Sequence, residues 1–164
     1  MTHKCCGEEC AIEFAQQEKE KKARQERQKG LQALKTKRDY IKEAQIAFNT
    51  YVRMRDSNEV CISCGNPFAD GILGGGMDCG HYRSVGSAPH LRFHPDNAHG
   101  QCKKCNRWGA GRAVDYRIGL IARIGLPRVE LLESSESIRK WTIQELLEIR
   151  DEYLMKLKKL KDEK

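Results

Sequence analysis

The chain has 164 residues, of which 39% are hydrophobic and 32% are charged. This apolar content is thin for one large core, so we expect a small metal-stabilised domain with helical extensions. The net charge of +7 suits a polyanionic partner, whereas the apolar runs, all shorter than about 18 residues, exclude a membrane-spanning helix.

The start of the chain, Met1–Cys6, lacks the apolar segment of a secretory signal peptide. We therefore expect a cytoplasmic protein whose thiols stay reduced. In that compartment, eight cysteines favour metal binding over a disulfide scaffold.

Residues 1–39 are predicted to form a basic, charged arm that is helical or flexible. Cys5, Cys6 and Cys10 lack a partner pair, so they either bind a metal with His3 or are loose thiols. Between Lys19 and Arg38, nine Lys or Arg residues accompany two Glu residues. Such a segment lies along DNA phosphates or is a solvated linker.

Residues 40–125 are predicted to form the core with its flanking helices. Apolar residues at helical spacing predict an amphipathic helix over residues 40–55: Ile41, Ala44, Phe48, Tyr51 and Val52. Two short strands, residues 77–84 and 91–93, are expected to form a two-stranded ribbon.

Two Cys-x-x-Cys pairs, Cys61 with Cys64 and Cys102 with Cys105, flank this ribbon. Four thiolates form a closed tetrahedral zinc site, which is structural because no ligand position is left for a substrate. The insert between the two pairs, residues 65–101, is longer than the ~15–20 residues that usually separate such pairs. We therefore expect this insert to carry the chemistry.

A helix over residues 112–124 is predicted to end at Gly125, and residues 126–164 are predicted to be helical. Thr142 and Glu145 form a capping box at the start of the last helix. Its apolar stripe docks on the body or pairs with a second chain in a homodimer; the stripe comprises Ile143, Leu147, Leu154 and Leu157, widened by Leu146, Tyr153 and Leu160.

The central residues resemble the Cys-flanked HNH nuclease motif: Gly80-His81, Asn97 and Asn106 stand at its spacing around the cysteine pairs. Further blocks resemble the phage NinG (Rap) recombination nucleases over roughly residues 40 to 160, namely Asp78-Cys-Gly-His-Tyr-Arg, Leu91-Arg-Phe, Asn97-x-His, Gln101-Cys-x-x-Cys-Asn, Tyr116-Arg, Ile121-x-Arg-Ile-Gly and Trp141-Thr-Ile.

This resemblance implies a small α+β fold: a zinc-stapled ββα-metal (HNH-like) core with N-terminal and C-terminal helical extensions. It also implies that Cys6 and Cys10 in the N-terminal arm are part of a cysteine knuckle. It implies that His81 is the general base, although a histidine there can also bind metal or fill the ribbon. Asn97 would accept the imidazole N–H and fix its tautomer. Asn106 and Asp78 would hold Mg²⁺ or Mn²⁺, with His99 as an alternative to Asp78.

Basic and aromatic residues complete the expected DNA-binding surface. Arg83 follows His81 by two positions, so it either grips the scissile phosphate or is an ordinary surface arginine. Trp108 and Tyr82 either stack on unpaired bases or cover the core. Further phosphate contacts are expected from Lys103, Lys104, Arg107 and Arg112.

The resemblance implies a metal-dependent DNA endonuclease that cuts branched recombination intermediates, such as D-loops and Holliday junctions, in the bacterial host of a phage. Recombination proteins of the phage or the host are possible partners. The alternative is a non-catalytic zinc-ribbon DNA-binding protein. A zinc ribbon needs only the cysteines, so His81, Asn97 and Asn106 at nuclease spacing favour the enzyme.

Overall fold

The computed structural model describes residues 7–69 and 76–163. The chain divides into two compact units, Met1–Asp39 and Tyr40–Lys164. The predicted cluster of His3, Cys5 and Cys6 lies outside the described residues. None of the described helices combines the length and the apolar character needed to cross a membrane.

The first unit is dominated by the helix α1, Glu8–Ala33, which has no buried residue. Its sequence is rich in Glu, Lys, Gln, Arg and Ala, which favour a helix but leave little apolar surface to bury. The predicted helical arm is therefore present as a solvated helix. Cys10 lies within this helix.

In the described residues, the second unit holds a two-stranded antiparallel sheet and four longer helices, of which the first begins at Lys37, before the unit itself. The strands are β1, Met77–His81, and β2, Ala98–Cys102, and Met77 pairs with Cys102 while His81 pairs with Ala98. The helices are α2 (Lys37–Arg55), α3 (Ala113–Ile124), α4 (Leu126–Ser134) and α5 (Ile143–Asp162). Short 3₁₀ turns at Pro89–Leu91 and Pro95–Asn97 precede β2, and one π-helical turn, Lys104–Trp108, follows it.

Two separate hydrophobic clusters pack beside the sheet. The first joins α2 and α5 through Phe48, Phe93 and Tyr153, and Cys79 of β1 packs against it. The second joins α3 and α4, with members Ile62, Ala88, Leu91, Tyr116, Leu120, Val129 and Leu132, and Tyr82 packs against it. Alternate residues of β1 point to opposite faces, so the strand separates the two clusters.

The second predicted strand was placed wrongly. Leu91 instead ends a 3₁₀ turn, which Arg92 and Phe93 follow, and Leu91 and Phe93 are buried in different clusters. The real strand, Ala98–Cys102, contains His, Gly and Gln and shows no apolar alternation. Its residues are held by hydrogen bonds along both edges, which sequence periodicity does not register.

The outer edge of β2 forms hydrogen bonds with residues 55–62, which run from the end of α2 to the first cysteine pair. Arg55 donates to the Ala98 carbonyl at 2.8 Å, and the buried Asp56 accepts the Gly100 N–H at 2.7 Å. The Ile62 N–H donates to the Gly100 carbonyl at 3.1 Å. This segment therefore takes the place of a third strand.

The helix α5 begins with the predicted capping box, since the Thr142 side chain and the Glu145 backbone and side chain bond reciprocally. Its buried stripe is Leu146, Tyr153 and Leu157, whereas Ile143 and Leu154 are 44% and 48% exposed. The predicted stripe was therefore shifted around the helix. The expected small α+β fold is confirmed in its coarse form, as a two-stranded sheet with packed helices.

Candidate functional site

Four cysteine side chains, those of Cys61, Cys64, Cys102 and Cys105, bring their Sγ atoms within 4.8 Å of one another. The Cys64 and Cys102 sulfurs are 3.9 Å apart. Two thiolates across a tetrahedral zinc ion, with Zn–S bonds of about 2.3 Å, lie about 3.8 Å apart. The predicted cysteine cluster is therefore confirmed, and its size fits a structural zinc ion.

The electrostatics of the four thiols also favour a bound cation. Burial raises the pKa of Cys61, but backbone N–H groups of Cys102, Cys64 and Ser63 outweigh it and lower the pKa to about 7. Burial and the neighbouring sulfurs raise the pKa of Cys105 to about 12. Four thiolates in this space therefore require a positive ion among them.

His81 lies at the end of β1, and its ring orientation is fixed by the backbone. The Nε2 atom lies 3.0 Å from the Arg92 carbonyl oxygen. Because a carbonyl can only accept, Nε2 carries the proton and Nδ1 keeps its lone pair. No hydrogen bond to Nδ1 occurs within the described part of the chain. Burial lowers the pKa of His81 below 6.5, which favours the neutral ring.

Asn97 is fully buried, but its partner differs from the one that the sequence led us to expect. Its Oδ1 accepts the Arg83 N–H at 2.8 Å, and its Nδ2 donates to the carbonyls of Arg83 and Leu91 at 3.0 and 3.1 Å. Asn97 therefore fixes the backbone that leaves β1 and the 3₁₀ turn before β2. The backbone carbonyl of Arg92, and not the amide oxygen of Asn97, accepts the N–H of the His81 ring.

Asp78 and Asn106, the two residues predicted to hold the catalytic ion, lie side by side. The Asn106 Nδ2 donates to Asp78 Oδ2 at 3.1 Å, which leaves the Asn106 Oδ1 available as an acceptor. Arg107 binds the same carboxylate through two hydrogen bonds, of 2.7 and 2.9 Å. Burial raises the pKa of Asp78, but the bonds from Arg107 and Asn106 outweigh it and lower the pKa below its usual value.

The strand separates this pair from His81. Asp78 and His81 are three residues apart on β1, a distance of about 10 Å, and they point to opposite faces. The structure therefore brings Asp78 and Asn106 together but does not bring His81 to them. A phosphate that touches both groups must lie at the outer edge of β1.

His99 is 4% exposed and belongs to a buried polar network. Its Nε2 lies 3.2 Å from the Asp96 carbonyl, and its Nδ1 lies 3.1 Å from Arg55 Nη2. Both ring nitrogens therefore have partners in the protein. Of the two alternatives for the second metal ligand, this geometry favours Asp78.

Arg83 and Tyr82 both contact the end of α4. The Arg83 Nη1 donates to the carbonyls of Leu132, Glu133 and Ser135, at 3.1, 2.8 and 3.3 Å. The Tyr82 hydroxyl donates to Glu133, and its ring stacks on Tyr116 at 5.7 Å. Both side chains thus have structural roles, and the Arg83 Nη1 is already engaged.

The remaining predicted DNA-binding residues surround the second cysteine pair. Lys104 is exposed, and Arg112 pairs with Asp115 at 2.7 Å while its Nη1 lies 4.0 Å from the Cys105 sulfur. Lys103 is half-buried and adds positive charge near Asp78. Cys79, which had no role in the sequence motifs, packs in the first cluster, and burial raises its pKa to about 12.

Two residues near the site were missed by sequence reasoning. Asp56 anchors β2 through the Gly100 N–H and contacts Arg55, with an Nε to Oδ1 distance of 2.6 Å. Arg92 contributes a backbone carbonyl to His81. A backbone contact of that kind carries no side-chain signature in the sequence.

Comparison with known proteins gives a consistent result. The family model described as "Bacteriophage Lambda NinG protein" matches residues 2–163. A relative called Protein ninG, from Escherichia phage lambda, is 43% identical over 130 residues, which cover 79% of this chain and 61% of the relative. The protein of that name from Salmonella phage P22 is also 43% identical over 130 residues, which cover 79% of this chain and 62% of the relative. No solved structure gives a significant match.

The match covers only part of these relatives. The aligned segment spans about three fifths of the length of each relative, 61% and 62%. The names of these relatives state no activity.

Proposed function

The chain belongs to the NinG family of bacteriophage proteins, and on that basis we propose that it is a metal-dependent endonuclease that cuts branched DNA during phage recombination. D-loops and Holliday junctions are the expected substrates, met in the cytoplasm of the host cell. The observation that carries the proposal is the fixed, neutral imidazole of His81.

His81 acts as the general base in this proposal. Its Nε2–H is held by the Arg92 carbonyl, so Nδ1 takes a proton from a water molecule. The resulting hydroxide attacks the phosphorus atom, and the bond from phosphorus to the 3′ oxygen breaks. A neutral ring accepts this proton near pH 7 because burial lowers its pKa.

Asp78 and Asn106 are the proposed ligands of the catalytic divalent ion. A carboxylate and an amide oxygen are hard donors, which suit Mg²⁺ or Mn²⁺. The ion, when bound, would neutralise charge on the phosphate and on the leaving oxygen. The Asp78 carboxylate can bind the ion only if at least one of its two hydrogen bonds from Arg107 is replaced by a bond to the metal.

The proposed architecture is the HNH-like ββα-metal arrangement. Its parts are β1 with His81, β2, and the helical turn that carries Asn106. The four cysteines hold the two ends of this arrangement together, because one pair precedes β1 and the other follows β2. Asn97 fixes the turn between the strands.

A non-catalytic zinc-dependent DNA-binding protein is the second candidate. Two observations favour it: Arg107 neutralises Asp78, and His81 points to the other face of β1. In that case His81 and Asn106 only stabilise the fold. The two candidates differ in what happens when His81 alone is replaced.

The deciding experiment is single-turnover cleavage of labelled linear, forked, D-loop and four-way DNAs with Mg²⁺, Mn²⁺ or EDTA. We expect wild-type protein to cut branched DNA only with a divalent ion, and His81→Ala to lose ~10²–10⁴ in rate while still binding DNA in Ca²⁺. The matched control is His94→Ala, because His94 is exposed and its ring bonds locally to the Asp96 N–H.

Two outcomes oppose the proposal. Absence of cleavage on every substrate and ion, by a protein that binds DNA, supports the non-catalytic candidate. Wild-type rates in a folded His81→Ala variant would remove His81 from the mechanism. His81→Gln serves as a second variant if His81→Ala melts early, since the ring packs near Phe48 at 6.0 Å.

A further inference from the structure

Trp108 is unusually exposed for a tryptophan. Its exposed fraction is 85%, whereas Phe14, at 38%, is the one other exposed aromatic residue in the described ranges. A tryptophan is a large apolar ring that proteins ordinarily cover. The alternative that Trp108 covers the core is therefore excluded by its position.

The backbone around Trp108 is held firmly. The residue ends the π-helical turn that contains Cys105 of the metal cluster. The Gly109 N–H bonds to the Lys104 carbonyl at 2.9 Å, and the Gly111 N–H bonds to the Cys105 carbonyl at 3.1 Å. Trp108 is thus mounted on a turn that a metal ligand fixes, and π-helical turns are frequent at functional sites.

Its chemical surroundings suit a nucleic acid. The side chain of Arg107, the residue directly before Trp108, is 60% exposed, and Lys104 is exposed as well. Asn106, a proposed metal ligand, lies two residues before Trp108. An exposed aromatic ring among positive side chains is the arrangement that holds single-stranded DNA, by stacking on bases and attracting phosphates.

We propose that Trp108 stacks on an unpaired base beside the cleavage site, so that the protein recognises branched DNA by its unstacked bases. A duplex offers no free base face along its length, whereas a branch point or a gap does. Tyr82 cannot serve in this way, because Glu133 and Tyr116 already engage it. The inference rests on the proposed function, and it assigns the substrate feature that the site selects.

The test compares two DNAs in Ca²⁺: a linear duplex and a fork with a short single-stranded gap at its branch. Trp108→Ala should weaken binding of the gapped fork by roughly 5- to 150-fold and leave duplex binding unchanged. Trp108→Phe should keep most of the affinity, since a phenyl ring still stacks. Met155→Ala is the matched control, because Met155 is an exposed apolar residue on α5, 62% exposed.

A second readout follows the ring itself. Gapped DNA should quench tryptophan emission in the wild type but not in Trp108→Phe, whose remaining tryptophan is Trp141. Equal weakening of both DNAs, or no weakening of either, would overturn the stacking inference even where the wild type cleaves branched DNA. A wild type that neither prefers nor cuts branched DNA would overturn the proposed function together with it.

Discussion

At the scale of single residues, the ring of His81 determines how the proposed reaction depends on pH. Its pKa lies below the ordinary value of 6.5 because the ring is buried. The neutral ring is the active form, so the logarithm of the cleavage rate should rise with pH at a slope of one, bend at the lowered pKa of His81 and level off above it. Single-turnover rates from about pH 5 to about pH 8 measure this profile.

The same shift has a consequence for folding with a defined sign. Below pH 6.5 the unfolded chain binds more protons at His81 than the folded protein does. The stability that this residue contributes is therefore full above that pH and is lost as the pH falls towards the folded pKa. A cleavage rate whose logarithm still rises with a slope of one above pH 7 would be inconsistent with His81 as the base.

Arg107 provides a second prediction at this scale. Arg107→Ala should free the Asp78 carboxylate, so Mn²⁺ or Tb³⁺ should bind more tightly in the absence of DNA. Titration calorimetry or terbium luminescence measures this affinity without reference to cleavage. Asp78→Asn should abolish the gain, because the charged oxygen that attracts the ion is then missing.

Arg128 is a close control for Arg107. It forms the same kind of two-point contact with Asp96, and its side chain is 56% exposed compared with 60% for Arg107. Arg128→Ala should leave metal affinity unchanged. An equal effect of both variants would mean that net charge, and not the release of Asp78, controls the binding of the ion.

At the scale of elements, the helices were more predictable than the sheet. The amphipathic pattern of α2, Gly125 at the end of α3 and the capping box of α5 each depend on residues close together in sequence. The strand β2 depends on distant groups, because Arg55, Asp56 and Ile62 bond its outer edge. Its own residues carry no strand pattern, so the sequence alone placed the strand in the wrong segment.

The candidate site shows the same division. The cysteine pairs predicted the four-cysteine cluster because two thiols two residues apart in the sequence are a metal-binding signature by themselves. The partner of His81 was not predictable, since a backbone carbonyl of any residue can accept its proton. The ion pair of Asp78 with Arg107 also joins two elements that are distant in sequence.

The cysteine cluster gives a prediction for the two-stranded core that it flanks. We expect about one zinc ion per chain in the wild type and less than one in Cys105→Ser. The variant should also lose cooperative unfolding of the core, because structural zinc contributes on the order of 10 kcal/mol to the free energy of folding. Metal analysis after dialysis and thermal circular dichroism measure both effects. Cys79→Ala is the control. Cys79 lies outside the cluster, so this variant should bind as much zinc as the wild type.

At the scale of the whole molecule, the positive side chains of the solvated helix α1 lie between Lys19 and Lys29, where six Lys or Arg residues accompany two Glu residues. If this helix lies along phosphates, replacing Lys22, Arg24 and Arg27 by Gln should flatten the slope of log K against log salt by about 0.9 for each phosphate that is no longer neutralised. Fluorescence anisotropy with labelled DNA at several salt concentrations measures this slope.

The control for α1 removes the same charge elsewhere. Replacing Lys158, Lys159 and Lys161 on α5 by Gln also takes three charges from the total of +7. A direct role of α1 predicts a larger change for the first set. Equal slopes would identify α1 as a solvated linker, and DNA would then be attracted by net charge alone.

The bonds along the outer edge of β2 also connect the sheet to the cysteine cluster. The N–H of Gly100 bonds to Asp56, and the N–H of Cys102 donates to the Cys61 sulfur at 3.3 Å. One of these acceptors is a proposed zinc ligand, so we expect ion uptake and strand pairing to occur in one cooperative step. In hydrogen exchange, the amides of Gly100 and Cys102 should open only with global unfolding when zinc is present. In the zinc-free chain they should exchange nearly as fast as those of an unfolded peptide.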